Sequence, residues 1–312
     1  MIDGTSPGRP HGALEPSGTH GWFSFSPLPN RPPLHWPDGR TVAVSVVLDL
    51  RAVEWETPKN PPAVRPPGGR GIAPFPDFPR MSHREFGHRV GVFRMLDITR
   101  ALGLAPAAVV DVLTAEGYGR LLEHLLPETS EIIAGGLSAS RAVTSQMAAD
   151  EELHYIGDTM RRLADRLGVR PSGWLGVEHS ESARTPGLLA RCGIRYVADW
   201  ANDEQPYPME REDSGLWSFP LSWELSDLRA MHERGMSAED YGHSIVEAFE
   251  VLRADGSESG RVLALHLHPW VSGQAFRADA VERALAHLRR STDAWWASPD
   301  EIVGWCRSGA QR

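Results

Sequence analysis

Residues 41–50, TVAVSVVLDL, are rich in β-branched side chains and almost continuously apolar. A stretch of this kind is typical of a strand in a parallel sheet, which is buried on both faces because helices cover the sheet. Patterns of helix and strand type then alternate towards the end of the chain. Repeated βα units predict the α/β class, with a parallel sheet closed or nearly closed into a barrel.

The remaining elements are predicted from periodicity and capping residues. Residues 153–167 carry an apolar stripe at helical spacing that stops at Gly168, so they predict a helix. Ser237 and Ser298 each precede an apolar helical pattern and are predicted N-caps. Further strands are predicted at residues 107–113, 130–135, 194–200 and 261–268.

Length and composition limit the possible classes of protein. A chain of 312 residues with 41% apolar content can bury a large core, so one domain is expected. A net charge of −9 without a concentrated run of Lys and Arg argues against a nucleic-acid partner. No run approaches the ~20 apolar residues of a membrane helix, and the first residues lack a signal-peptide pattern. We therefore expect a cytoplasmic protein without a membrane partner, and the presence of only two cysteines fits a reducing compartment.

Two regions are rich in proline. Residues 1–40 contain many Pro and Gly without periodicity, which predicts an arm lying on the barrel (41–312) or on a neighbouring subunit of a homo-oligomer. Residues 57–80 contain eight prolines, which are incompatible with a helix or a central strand. This second region is predicted to cross the surface over the strand ends.

In a parallel barrel, functional side chains follow the carboxyl ends of the strands, where they meet at one face. The residues that follow the predicted strands closely, and are therefore candidates, are Asp49, Glu54, Gly135, Trp174, Asp199, Asp203, Glu224, Asp227 and His268.

These residue types suit the hydrolysis of an amide, which needs a base for water, donors for an oxyanion and an acid for the leaving nitrogen. Asp49 or Glu54 is the candidate base, and His268 is the candidate acid because imidazole titrates near neutral pH. A carboxylate after a strand can instead cap the following loop or helix, which is the alternative for Asp199, Glu224 and Asp227. Gly135 is either a simple turn or a source of exposed N–H groups for an oxyanion.

Four blocks of sequence resemble a known hydrolase family. They are Phe86-Gly87-His88-Arg89-Val90-Gly91 within MSHREFGHRVGVFR (81–94), the Pro-x-Gly-Trp element at 171–174, Asp199-Trp200 followed by residues 203–207, and His268-Pro269-Trp270. Their order resembles that of the polysaccharide deacetylase superfamily, which includes carbohydrate esterase family 4. The branch they resemble contains the metal-independent allantoinases and cyclic-imide hydrolases, and the resemblance covers residues from about 40 to about 306.

The resemblance implies a fold and an activity. It implies a distorted seven-stranded (β/α) barrel that hydrolyses a non-peptide C–N bond of a small molecule: an amide, a cyclic amide or imide, or an N-acyl group. It places the catalytic histidine at His268 and implies that Arg89 holds a carboxylate or carbonyl oxygen, as a planar guanidinium can. The alternative for Arg89, which precedes a helical pattern, is an ion pair with Glu85. Trp174 and Trp270 lie in matching blocks and are predicted substrate contacts, although such Trp residues also serve as core.

Two positions depart from the family pattern. The first strand reads Asp49-Leu50-Arg51 where relatives have Asn-x-Glu, and residues 135–140 read GGLSAS where relatives have His-Gly-x-x-Asn-Ser. We predict that Arg51 points into the pocket and faces Gly135 across the barrel mouth, so that the pocket favours a bulkier or anionic substrate. The same departures support two alternatives: a catalytically inactive barrel that binds a small ligand, and a barrel repurposed for a tailoring step in specialised metabolism.

A metal site is not predicted, and no other cofactor is expected. Metal-dependent members of the superfamily carry an Asp-Asp pair and a His-x-x-x-His element, and this chain resembles them in neither. His266 and His268 alternate on a strand and face one side, so they form the best remaining pair for a divalent ion. His83, His88 and His179 lie near the motif blocks without a recognisable ligand spacing.

Overall fold

The computed structural model describes residues 21–55, 77–209 and 215–309. Its nine-stranded sheet contains β1 (Val42–Asp49), β2 (Ala107–Val110), β3 (Glu131–Ala134), β4 (Gly173–Trp174), β5 (Tyr196–Val197), β6 (Tyr207–Pro208), β7 (Trp217–Ser218), β8 (Arg261–Leu267) and β9 (Ala294–Trp296).

The described α-helices are α1 (Phe78–Phe86), α2 (Val92–Ala101), α3 (Val112–Gly117), α4 (Gly119–Leu125), α5 (Ala149–Leu167), α6 (Thr185–Arg191), α7 (Ala238–Asp255), α8 (Pro269–Ser272), α9 (Ala275–Arg289) and α10 (Pro299–Ser308). Two π-helical turns, Gly87–Gly91 and Leu228–Glu233, interrupt the regular helical geometry.

The sheet confirms the predicted distorted barrel. Seven parallel strands follow one another in the order β7-β5-β4-β3-β2-β1-β8. Outside this path, β6 adds an antiparallel strand beside β7, and β9 pairs with the first residues of β1. The N–H of Val262 in β8 donates to the carbonyl of Glu204, just before β6, over 2.9 Å. The two ends of the curled sheet therefore approach each other.

Strand β1 is apolar throughout because both of its faces are covered. All eight of its residues are buried. Val44, Val46 and Leu48 pack in the cluster shared with the surrounding helices, whereas Ala43 and Val47 pack in a second cluster. This alternation follows the pleat of the strand, and burial of each Val or Leu side chain contributes about 1.5–3 kcal/mol.

The predicted helix ends and caps are confirmed where they lie in regular elements. Helix α5 ends at Leu167 and is followed by Gly168 in the left-handed region. The Ser237 and Ser298 hydroxyls accept hydrogen bonds from the third residue of α7 and α10, respectively.

Two predicted strands are too long. Residues 111–113 do not continue β2, because the Asp111 carboxylate accepts the N–H of Thr114 and begins α3 as its N-cap. Of residues 194–200, only Tyr196 and Val197 pair as a strand. Apolar character alone does not show where backbone pairing stops.

The segment before β1 lies against the barrel. The Arg31 guanidinium binds both carboxylate oxygens of Asp203 at 2.8 and 2.6 Å. Trp36 is buried and donates its indole N–H to the Arg261 carbonyl. The proline-rich excursion predicted at 57–80 and the first half of the predicted arm lie largely outside the described residues. Among the described helices, none combines the length and apolar character needed to span a membrane.

Candidate functional site

The candidate site lies where β1 and β8 end side by side. Their register pairs Val47 with His266 and Leu48 with Leu267, which places Asp49 beside His268. A small cavity of about 60 Å³ opens here. It is lined by Asp49, Arg51, Arg84, Ala139, Val177, Glu178, His179, Trp223, Ser226, Leu228, Arg229, Glu233, His266, His268 and Trp270. A volume of this size admits a few water molecules or the reacting group of a larger molecule.

His268 is held by a buried carboxylate. Its Nδ1 lies 2.7 Å from Asp227 Oδ1, and its backbone N–H donates to Asp227 Oδ2 over 2.8 Å. The N–H and hydroxyl of Ser272 also donate to Asp227 Oδ2. Because an ionised carboxylate only accepts hydrogen bonds, the Nδ1 atom carries the proton. The other ring nitrogen, Nε2, lies 3.6 Å from Asp49 Oδ2 and is available for proton transfer.

Asp49 is bound by a permanent cation. Arg51 Nε lies 3.0 and 3.1 Å from the two Asp49 oxygens, Arg51 Nη2 lies 2.5 Å from Oδ2, and His266 Nε2 lies 3.0 Å from the same oxygen. Burial alone would raise the pKa of Asp49, but the charge of Arg51 and the hydrogen bond from His266 hold it well below its ordinary value. Asp49 therefore stays ionised and is a weak base.

The stem of Arg51 occupies the space beside Gly135. A Cβ atom at Gly135 would lie 2.7 Å from Arg51 Cδ and 2.8 Å from Cγ. The Arg51 Nη1 group donates to the Gly176 carbonyl over 2.9 Å, and the Gly135 N–H donates to the Val110 carbonyl. This corrects two expectations. Arg51 lines the cavity, but Asp49 occupies its planar fork, and the Gly135 N–H is not free to bind an oxyanion.

Glu54 and Arg89 do not join the cavity. The Glu54 carboxylate binds Ser138 Oγ at 2.5 Å and Arg141 Nε at 2.5 Å. It therefore forms an ion pair near the surface and does not reach the cavity, where the expected base would act. Arg89 is exposed. Arg89 lies in the π-helical turn and is not among the residues that line the cavity, so the expected substrate contact at Arg89 is not found there.

Three further candidates lie outside the cavity. Trp174 is almost fully buried and packs against Tyr155 in the core. Asp203 anchors Arg31, as described above, and Glu224 forms an exposed ion pair with Arg234. None of the three lines the cavity, and Asp203 and Glu224 border the larger depression described below, so their part in substrate binding stays a prediction.

Asp199 supports the wall of the cavity without lining it. Its Oδ1 atom accepts the Gly176 N–H over 2.7 Å and lies 3.9 Å from His179 Nδ1. Burial raises the pKa of Asp199 to about 7. The adjoining Glu178 and His179 both have φ of 54°, a left-handed conformation that is costly for non-glycine residues. Burial also lowers the pKa of His179 to about 3, so its imidazole is neutral at pH 7.

Sequence reasoning missed Arg84, although it lies within the quoted motif block. Arg84 Cζ lies 5.1 Å from the centre of the Trp270 ring, and both residues line the cavity. The following turn approaches the backbone after β8 so closely that a Cβ atom at Gly91 would lie 2.0 Å from the Pro269 carbonyl oxygen. The spacing of the glycines thus signals close packing, but it does not show which arginine faces inward. Trp270 remains a candidate substrate contact.

A metal ion does not fit the site as it stands. Asp49, His266 and His268 are the only group of three or more potential ligands found among the described residues, with one ligand atom of each within 4.8 Å of the others. The Arg51 guanidinium, however, occupies both oxygens of Asp49. A divalent cation there would face that fixed positive charge at short range.

The other histidines that were considered as metal ligands contact other groups of the protein. The His88 Nε2 atom lies 2.9 Å from the Leu50 carbonyl oxygen, and the His83 ring packs edge-on against Trp270 at 5.1 Å. His179 lies near the cluster, with its ring centre 6.1 Å from that of His266.

A much larger depression, of about 2140 Å³, lies elsewhere. Its walls come from residues 23–35, 201–208 and 217–225 and from α7. We place the candidate site at the smaller cavity because a buried imidazole, its orienting carboxylate and a second ionised carboxylate meet there.

Comparisons with known proteins show the fold. No protein-family model matches the chain, and no curated protein matches it in sequence. The crystal structure of Puue allantoinase is similar, with a TM-score of 0.77 and 22% identity, over 89% of this chain and 95% of that one.

Two further solved structures are similar to the chain. A polysaccharide deacetylase-type protein from Mycobacterium smegmatis has a TM-score of 0.75 and 24% identity, over 90% of this chain and 95% of its own. One from Pseudomonas aeruginosa PAO1 has a TM-score of 0.75 and 23% identity, over 89% and 95%. At these identities the likeness concerns the fold, and the polysaccharide deacetylase fold implied by the sequence is confirmed.

Proposed function

We propose that this chain, which has the polysaccharide deacetylase fold, hydrolyses a non-peptide C–N bond of a small molecule. The bond would belong to an amide, a cyclic amide or imide, or an N-acyl group. The observation that carries the proposal is the His268–Asp227 pair, which leaves one imidazole nitrogen facing the cavity. Solved structures of the same fold include an allantoinase, which supports this class of reaction.

The arrangement supplies both proton transfers of hydrolysis. His268 Nε2 takes a proton from water as the water oxygen attacks the carbonyl carbon, and Asp227 stabilises the imidazolium that forms. The C–N bond then breaks, and His268 returns the proton to the leaving nitrogen, which is the acid role predicted from the sequence. Asp49, 3.6 Å from Nε2, supports the imidazolium electrostatically rather than acting as the base.

We further propose that the reaction needs no divalent metal. Arg51 places a fixed positive charge on Asp49, within the one cluster of potential ligands in the described ranges. The Arg51 side chain is only 9% exposed and binds both oxygens of Asp49, so displacing it would leave a guanidinium without its carboxylate partner.

A substrate screen tests the proposal. Purified protein is incubated with N-acetyl and N-formyl amines, primary amides, cyclic amides and cyclic imides, and bond cleavage is followed by NMR. We expect turnover that survives EDTA, no stoichiometric metal by mass spectrometry, and a loss of about 10²–10⁴-fold in kcat for His268→Gln with an unchanged melting temperature. Turnover that EDTA abolishes would contradict metal independence, and full activity of His268→Gln would contradict the assigned role.

The alternative is an inactive or repurposed barrel that binds a small ligand. It is favoured by one observation: both oxygens of Asp49 are already hydrogen-bonded, so this carboxylate is not free to accept a proton from water. This alternative predicts that some compounds of the same screen raise the melting temperature without being cleaved. A cleaved compound would exclude it.

A further inference from the structure

We propose that Arg84 binds a carboxylate group of the substrate, so that the substrate is a short amide or cyclic amide bearing an acidic group. This inference rests on the proposed function, because it names the class of molecule that the same cavity accepts. It assigns to Arg84 the anion-binding role that the sequence analysis predicted for Arg51.

Arg84 is a cation without a carboxylate partner. Within residues 21–55, 77–209 and 215–309, its guanidinium forms no salt bridge or hydrogen bond, and its Cζ atom lies over the Trp270 ring. Two other arginines that line the same cavity are paired: Arg51 with Asp49 and Arg229 with Glu233. Arg84 is partly exposed, so its guanidinium can still contact water, and it is the arginine of this cavity wall whose donors are open to a ligand that supplies an acceptor.

The surroundings of Arg84 favour an anion. Burial and the nearby charge of Arg80 lower the pKa of Arg84 to about 10, which still leaves it charged at neutral pH. Burial and the charges of Arg277 and Arg84 lower the pKa of His83, so its imidazole is neutral, and the positive charge added to this region comes from Arg80 and Arg277. The acids that act on Arg84 are Glu178 and Asp49, neither of which lies within ion-pair distance of it. A carboxylate would offer two oxygens that match the guanidinium fork.

The position of Arg84 limits the size of the substrate. Arg84 lies over the Trp270 ring, and the His268 ring lies 6.2 Å from the same ring, so the anion site and the proton-transfer site flank one indole. The cavity between them is only about 60 Å³. The carboxylate and the scissile amide must therefore be separated by few bonds, as they are in an N-acyl amino acid.

A matched pair of probes tests the inference: N-acetylglycine, which bears a carboxylate, and N-acetylglycinamide, in which a neutral amide replaces it. Binding is measured by calorimetry in the His268→Gln background, where the readout does not depend on turnover. A failure of recognition is thereby distinguished from a failure of hydrolysis, which the substrate screen reports separately.

We expect the carboxylate probe to bind about 10- to 100-fold more tightly than the amide probe. Arg84→Gln should remove this preference and Arg84→Lys should retain part of it, whereas the control Arg89→Gln, an exposed arginine of the same segment, should retain all of it. Melting temperatures verify that each variant is folded.

With the matched pair, the inference is overturned by equal binding of the two probes, by no binding of either, or by a preference that persists in Arg84→Gln. Inorganic phosphate serves as the second anion. If it binds as tightly as N-acetylglycine and Arg84→Gln loses both, the site is a general anion site, and the assignment of a carboxylate is wrong.

Discussion

Two buried carboxylates lie beside His268, Asp227 in the segment after β7 and Asp49 at the end of β1, and their partners differ. Asp227 accepts hydrogen bonds from an imidazole, two backbone N–H groups and a hydroxyl. Asp49 accepts hydrogen bonds from a guanidinium and a second imidazole. The first arrangement orients a group that can exchange a proton, whereas the second neutralises a carboxylate with a charge that does not titrate in the physiological range.

The difference shows how a fold can keep an acid at the expected position and change its chemistry. A carboxylate next to a guanidinium has a depressed pKa and is a poor base, even when it lies beside the reacting groups. Proton transfer then passes to the imidazole held by the other carboxylate. Variants at Asp227 should therefore affect activity, whereas variants around Asp49 should affect stability and metal affinity.

Asp227→Asn should have the largest effect on activity. The amide cannot stabilise an imidazolium as a carboxylate does, and it can reverse the hydrogen bond that fixes the His268 tautomer, so kcat should fall about 10²–10⁴-fold. The measurement is kcat on the best substrate of the screen. Asp203→Asn, in which the altered carboxylate binds Arg31 and two backbone N–H groups outside the cavity, should keep its activity. A fully active Asp227→Asn would show that Asp227 merely holds the loop after β8.

Arg51→Gln should have its main effect on stability and metal affinity. It leaves the buried Asp49 without its cation, which we expect to lower the stability by about 3–5 kcal/mol. It also frees the cluster of Asp49, His266 and His268, so Co²⁺ or Zn²⁺ should raise the melting temperature of the variant but not that of the unmodified protein.

The double variant Arg51→Gln/His266→Ala is the control for this metal effect. It should lose the rescue by Co²⁺, because one of the three ligands is gone. Stoichiometric, tight Co²⁺ binding by the unmodified protein would contradict the view that Arg51 excludes a cation.

Gly135→Ala should lower the stability of the protein by a smaller amount than Arg51→Gln. Its Cβ atom would come within 2.8 Å of two carbons of the Arg51 side chain, so the stem must shift, at a cost of about 1–3 kcal/mol. Gly157→Ala in α5 is the matched control, because nothing lies within 4 Å of its added Cβ atom, and it should raise stability by about 0.5–1 kcal/mol. Equal melting temperatures for the two variants would show that Arg51 does not need the space beside Gly135.

Glu54→Gln should have the smallest effect. Glu54 pairs with the half-exposed Arg141 near the surface, and such pairs contribute about 1 kcal/mol or less. We expect an unchanged kcat and a melting temperature within a few degrees of the original, as measured by thermal unfolding. A large loss of kcat would restore Glu54 as a base and weaken the assignment of that role to His268.

The sequence by itself determined the class of fold, the first strand and the position of His268. Residues 41–50 predict a strand covered on both faces, because apolar side chains that point to both faces of a strand must both be buried from water. The stripe of α5 and the caps at Ser237 and Ser298 were also predictable, since helix periodicity and capping depend on residues close in sequence.

Only the tertiary structure decided which charges meet. Asp227 lies 41 residues before His268, and Asp49 lies 217 residues before His266, so no local pattern could pair them. Arg84 and Arg89 are five residues apart, which corresponds to about 140° around an ideal helix, and they therefore point in different directions. Which of them faces the cavity depends on the approach of Gly91 to the loop after β8, because that contact between distant segments fixes the rotation of the helix about its axis.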